Sequence, residues 1–342
     1  MLWGVLLAVA LATTVLHRDR VVALILTSLA GLIIAPFFAF HSAPDLALTQ
    51  ISVEVVTVLL ILLALHFLPA TTPDALPAPR RLWSAAVAGI AGAGVGWLAW
   101  AMMTRHHAFP PISEFHLAQS KPGAGGTNAV NTIIVDFRGF DTYGEIIVLG
   151  IAALVIFATI EAVLRSPAAM QRLAIRSPRR EDADRHPMMF AVATRVLLPM
   201  AMLVGVFLFL RGHNMPGGGF VAGLVFAIAL LMQYMASGYE WSQKRQRYDH
   251  HLVVGWGILI ASLAGVGSWV FGLPFLTSGF VYVTPWPLDT FELATAAIFD
   301  LGVFLTVLGA VLLALASLSR LALRTGDAPQ SRAFDIDPTE DR

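Results

Sequence analysis

Residues 44–68 read PDLALTQISVEVVTVLLILLALHFL, 25 residues that are apolar almost throughout and long enough to cross a bilayer. Of its two carboxylates, Asp45 stands at the start and Glu54 sits well inside the apolar run. With a helix beginning at Pro44 and rising about 1.5 Å per residue, Glu54 is expected roughly 15 Å down, near the middle of a hydrocarbon layer about 30 Å thick. A charge at that depth costs at least about 3 kcal/mol, so the group must be protonated, paired, or in contact with a wet path for ions. The wet path is the working reading. At about 100° per residue, Asp45 falls on the opposite face of this helix, while Gln50, one turn from Glu54, is placed to help solvate it. Asp45 follows Pro44 at the helix start, where a carboxylate complements the helix dipole, so a structural cap explains it as well as ion binding does.

Working outward, the whole chain has the same character. Of 342 residues, 57% are hydrophobic and 13% charged, which points to an all-α polytopic membrane protein. Charge is balanced, with 22 basic and 22 acidic residues, and nothing suggests a nucleic-acid partner. The absence of cysteine excludes disulfides and thiolate metal sites. The N-terminal run MLWGVLLAVALATTVL lacks a basic leader and a small-residue cleavage site and is read as a retained, short first span.

Apolar runs bounded by charge, Pro or Gly predict nine spans, near 2–16, 20–40, 44–68, 82–103, 143–164, 190–210, 218–238, 251–273 and 291–317. Alternate loops differ in basic content. Seventeen of the 22 Lys and Arg fall on one side, against four (Arg105, Lys121, Arg138 and Arg211) on the other, which predicts the N-terminus outside and the C-terminus cytoplasmic. Residues 104–142 form a long outer connection with Pro and Gly punctuation. An Arg-rich inner segment, containing SPRREDADRHP, is read as a tether separating five spans from four.

Other polar residues fall in or beside spans. Glu145 opens the fifth, and Glu161 near its inner end is one turn from Arg165, an interfacial pairing. Glu292 and Asp300, read on one helix beginning at Phe291, would place Asp300 about 14 Å deep, which makes it a second candidate for ion handling. His66 near the inner end of the third span could pass protons, although an interfacial hydrogen bond serves it equally well. His106–His107 and His250–His251 lack the spacing and acid partners of a metal site. The run RGHNMPGGGFVAGL (211–224) lacks the Gly-Lys-Ser/Thr ending of a phosphate loop, so its glycines are read as permitting a tight turn and close helix approach, with Pro216 setting the turn. Gly92 and Gly96 suggest helix packing in the fourth span.

Three stretches carry a resemblance. SAPDLALTQISVEVVTVLLILLAL (42–65) resembles a module near the C-terminal end of the large A subunit of Mrp-type cation/proton antiporters, and NAVNTIIVDFRGFDTYGEI (128–146) resembles the module that follows it there. FLRGHNMPGGGFVAGL (209–224) is similar to the hallmark of the B subunit of the same antiporters, including Gly212, His213, Asn214, Pro216, Gly217, Gly218, Gly219 and Phe220. The resemblance implies modules of three, two and four helices, over 1–79, 80–168 and 190–320; between and after them, 169–189 reads as an Arg-rich cytoplasmic linker and 321–342 as a disordered tail. It implies a component of a multi-subunit Na+/H+ antiporter in the bacterial cytoplasmic membrane, partnered by the other subunits and the bilayer, with no cofactor. This chain has nothing matching the long N-terminal region of the large A subunit, so the match is to the A tail joined to B. The family pattern carries ion handling to Glu54 and Glu145, with Asp136 and Asp141 as weaker candidates and Pro216 and Phe220 as structural positions. A scaffold role, or membership of a hydrogenase-type redox complex, is the alternative. An enzyme acting by itself is disfavoured, because no nucleophile, base and orienting group share a depth.

Overall fold

The computed structural model describes residues 2–65, 71, 77–106, 109–169, 188–238, 241–242, 244, 248–284 and 291–324. Its helices are α1 (Leu2–Leu16), α2 (Arg20–Phe40), α3 (Pro44–Leu65), α4 (Ala78–Thr104), α5 (Ser113–Ala124), α6 (Ala129–Thr132), α7 (Gly139–Arg165), α8 (Met188–Arg211), α9 (Gly219–Ser237), α10 (His250–Val270) and α11 (Ala296–Arg324). A π-helical turn, Ile133–Phe137, joins α6 to α7. The fold is all-α and polytopic, with one addition. Strands β1 (Phe280–Val283) and β2 (Phe291–Ala294) pair antiparallel, with Tyr282 opposite Glu292.

Among the described residues, eight helices are long and apolar enough to cross a membrane. The expected ninth, α1, has only 15 residues, or about 22 Å at a helical rise, which is short of the hydrocarbon thickness. The long connection 104–142 has helical structure of its own, since α5, α6 and the π-helical turn occupy much of it. His66, the segment 170–187 and the tail after 324 lie outside the described residues.

Local chemistry accounts for several helix ends. Asp19 caps α2, its carboxylate accepting from the N–H groups of Val21 and Val22 at 3.0 and 3.1 Å. Asp249 caps α10 by accepting from His251 N–H at 3.0 Å. The turn before α9 needs Gly218 at φ +102°, a region closed to most side chains.

The centre of the bundle is α11, which packs against α3, α7, α9 and α10. Phe299, Val303, Val307, Leu312 and Leu315 on α11 form one apolar cluster with Val56 of α3, Ile146 of α7, and Leu224 and Leu231 of α9. Its crossing with α10 is so close that a Cβ on Gly257 would lie 2.6 Å from Thr306 N, and one on Gly302 would lie 2.6 Å from Gly257 O. The two groups of spans either side of the Arg-rich segment are thus packed together. On the far side of that joint, α4 has no buried residue, and a Cβ on Gly92 or Gly96 would meet nothing within 4 Å. The expectation that these glycines pack a neighbouring helix therefore finds no partner within the described chain.

Candidate functional site

Two faces of α3 carry the polar residues that the sequence singles out, and they meet different neighbours. Asp45, in the first turn, is buried, and its Oδ1 accepts from the Gly217 N–H at 2.8 Å. The carboxylate therefore stitches α3 to the turn before α9 rather than capping its own helix. Nine residues on, half-buried Glu54 turns toward α2, where its carboxyl lies against Gly31. Gln50 Nε2 stands 3.5 Å from Glu54 Oε2, a long contact from one turn away.

A second carboxylate holds the same glycine turn from the other side. Asp300 Oδ2 accepts from the Gly219 N–H at 2.7 Å, supplying α9 with the side-chain cap that Gly218 lacks. A Cβ on Gly219 would overlap the Asp300 carbonyl oxygen, so glycine alone permits this approach. The predicted depth of Asp300 is corrected here. Phe291–Ala294 is a strand and α11 begins at Ala296, so Asp300 stands in the second turn of its helix, about 6 Å from its start. Glu292 belongs to that strand and not to the helix. Asp300 also lines a cavity of about 660 Å³ with Lys121, Asn131, His213, Asn214 and Tyr282.

The connection between α4 and α7 closes over the same turn. Asn128 Nδ2 donates to the carbonyls of Gly212 and Met215, each at 3.1 Å, and Thr127 Oγ1 donates to Asn214 O at 2.8 Å. His213 Nε2 lies 3.1 Å from Ala124 O, and Arg211 Nε donates to Pro216 O at 2.7 Å. Phe220 packs against the apolar cluster. The run 211–224 is thus a turn and close-approach motif, clamped by Asp45 and Asp300 and latched by Thr127 and Asn128.

The remaining acids are dispersed. Asp136 Oδ1 accepts from Ser278 N–H at 3.0 Å, holding the chain just before β1. Asp141 forms an ion pair with Arg138. Glu161 pairs with Arg165 at 3.2 Å and also with Arg320 at 3.6 Å, so the expected interfacial pairing reaches α11 as well. Glu145 is exposed on α7, and no hydrogen bond or ion pair joins it to another described residue. The structure does not bring Glu54 and Glu145 together; Val56, Ile146 and Phe299 share one apolar cluster between their helices. Among the described residues, no three of His, Asp and Glu form a set that could hold a metal ion.

Sequence reasoning missed Gly31, Thr127, Asn128 and the cavity. A lone glycine in the apolar helical run of α2 was the available signal for Gly31. Nothing local marks the others, whose partners are more than 80 residues away.

Comparisons with known proteins divide the chain as its three motifs do. Residues 189–313 match the family described as a domain related to the MnhB subunit of Na+/H+ antiporter, 79–177 match the E subunit of MBH, and 5–70 match the D subunit of MBH. The chain is 38% identical to the A/B subunit of a probable K+/H+ antiporter of Rhizobium meliloti, over 97% of this chain and 35% of that one. It is 44% identical to the B subunit of the Na+/H+ antiporter of Bacillus subtilis, over 34% of this chain and 82% of that one. The solved Mrp complex from Dietzia sp. DQ12-45-1b superposes with a TM-score of 0.80 at 32% identity, covering 98% of this chain and 35% of that one. The chain thus spans about a third of the length of the relative and of the solved chain that match it almost throughout. With eight candidate spans among its described residues and the full run of motifs, the chain is a multi-pass membrane protein that belongs to the Mrp-type multi-subunit cation/proton antiporter family, as C-terminal A-type modules continued into a B-type module.

Proposed function

We propose that the chain serves as a membrane component of an antiporter that exchanges a monovalent cation for protons across the bacterial cytoplasmic membrane, together with the other subunits of the complex. Glu54 carries this reading. It is a half-buried carboxylate on a membrane-spanning helix, with Gln50 beside it and no cationic side chain paired to it among the described residues. In a low-dielectric setting, a proton and a cation compete for the same carboxylate oxygens, and that competition is the minimum requirement for exchange.

Glu145 then works at a boundary. Exposed on α7, it meets the surface of a neighbouring protein of the complex, and the ion route runs between chains rather than through the apolar cluster. Asp45, Asp136, Asp141 and Asp300 hold turns and helix ends in this reading, and the B-type module is mainly scaffold. The chain performs no chemical conversion of its own and needs no cofactor. The transported ions are H+ and either Na+ or K+, the two cations in the names of its relatives.

The test is cation-driven proton movement in everted vesicles carrying the whole complex, with Na+ and K+ compared, for wild type and Glu54→Gln at matched assembly. Collapse of exchange with the complex intact supports the reading. Unchanged exchange sinks it and leaves a scaffold.

A further inference from the structure

We propose that Gly31 of α2 is a positioning residue for Glu54, forming the seat that sets where its carboxylate lies; the inference rests on the ion-handling reading of Glu54. Helices α2 and α3 are consecutive spans joined by the short turn His41–Ser42–Ala43, with Ser42 at φ +59°, and they pack along their length. At Gly31 this packing is unusually specific. A Cβ added there would overlap Glu54 Oε2, would stand 2.7 Å from Glu54 Cδ, and would come within 3.2 Å of Gln50 Nε2. The missing side chain of Gly31 is therefore the space that the Glu54 carboxyl occupies.

Glycine is among the poorest helix formers, and Gly31 is the one glycine of α2. Other glycines of the bundle approach backbone or apolar side chains, as Gly223 faces Phe304 O and Gly150 faces Ile258 and Val254, or meet nothing within 4 Å, as in α4. Gly218 and Gly219 also face a carboxylate, that of Asp300, but that group is bonded to the Gly219 N–H, whereas the three atoms nearest to a Cβ on Gly31 all belong to the Glu54 carboxyl and its neighbour Gln50. A methyl group at that position would push the carboxylate off α2 and away from Gln50. Because proton and cation share the same oxygens, such a move alters both affinities at once. A glycine that merely let two helices pack would alter neither.

The experiment uses the assembled complex in everted vesicles and the variants Gly31→Ala, Glu54→Gln, Glu54→Asp and Gly31→Ala/Glu54→Asp. Gly31→Ala, at matched assembly, is expected to change the apparent KM for the driving cation by about threefold or more, or to move the pH midpoint of exchange by about half a unit or more. Aspartate is one methylene shorter and leaves room for the added methyl. Adding Glu54→Asp to Gly31→Ala should therefore move KM and the pH midpoint back toward those of Glu54→Asp alone. If Gly31→Ala prevents assembly, restoration of assembly by Glu54→Asp supports the seat, and failure to restore it overturns the proposal. An unchanged KM and pH profile in assembled Gly31→Ala, with Glu54→Gln inactive, overturns the positioning role and leaves the ion-handling reading standing. Normal exchange in Glu54→Gln removes that reading itself.

Discussion

Asp45 Oδ1 accepts a hydrogen bond from Gly217 N–H at 2.8 Å, joining residues 172 positions apart and tying the first A-type module to the turn that opens α9. With Asp300 bonded to Gly219 N–H, two carboxylates from two modules hold alternate amides of one glycine turn. Charge-assisted bonds to backbone donors are the stronger kind, and these secure three consecutive glycines, Gly217 to Gly219, that have no side chains of their own.

Asp45→Ala leaves a partly buried amide without an acceptor and should cost about 1–3 kcal/mol. Asp45→Asn retains an acceptor oxygen and should cost less. Thermal melting of the purified complex, read alongside native gels, checks the order of the two variants. Equal effects would mean that the charge matters more than the hydrogen bond.

Asp300 offers a sharper choice between support and transport. Asp300→Asn keeps an acceptor for Gly219 N–H, so exchange should persist near wild type, whereas Asp300→Ala should lower stability by about 1–2 kcal/mol, as loss of a helix cap does. Loss of exchange in a fully assembled Asp300→Asn complex would instead place this residue on the ion route.

Gly219→Ala and Gly94→Ala should differ widely. The first drives a methyl into the Asp300 carbonyl and should strongly reduce the amount of folded protein. The second meets nothing within 4 Å and should leave the folded chain intact. If complex assembly nevertheless fails in Gly94→Ala, α4 is covered by a neighbouring protein of the complex.

Asn128→Ala removes three side-chain bonds, two donated to Gly212 O and Met215 O and one accepted from Asn131 N–H, each contributing about 1 kcal/mol. Faster proteolysis within 104–128 is the expected result, with exchange reduced only in proportion to intact complex.

The positive-inside bias predicts that residues 104–142 lie outside and that the Arg-rich segment is cytoplasmic. Single cysteines placed at Ser113 and Ser177, in a chain with no native cysteine, should be respectively reactive and protected toward an impermeant maleimide in intact cells. The reverse pattern would invert the orientation.

By itself the sequence determined the membrane character and most of the spans, because apolar length must match a bilayer whatever the helices touch. It also determined that Asp45 and Glu54 face opposite ways, since helical periodicity sets direction along one element. The structure then showed what each direction meets: Gly217 for Asp45, Gly31 for Glu54. Where local pattern was extended too far it failed. Residues 291–294 are apolar enough to read as the start of a span, yet they pair with 280–283 as a strand, which moves Asp300 close to the helix start. Only tertiary structure could decide the clamp on the glycine turn, the apolar filling between Glu54 and Glu145, and the central place of α11. Each depends on contacts between residues far apart in the chain, and local hydrophobic periodicity carries a face but not the partner that covers it.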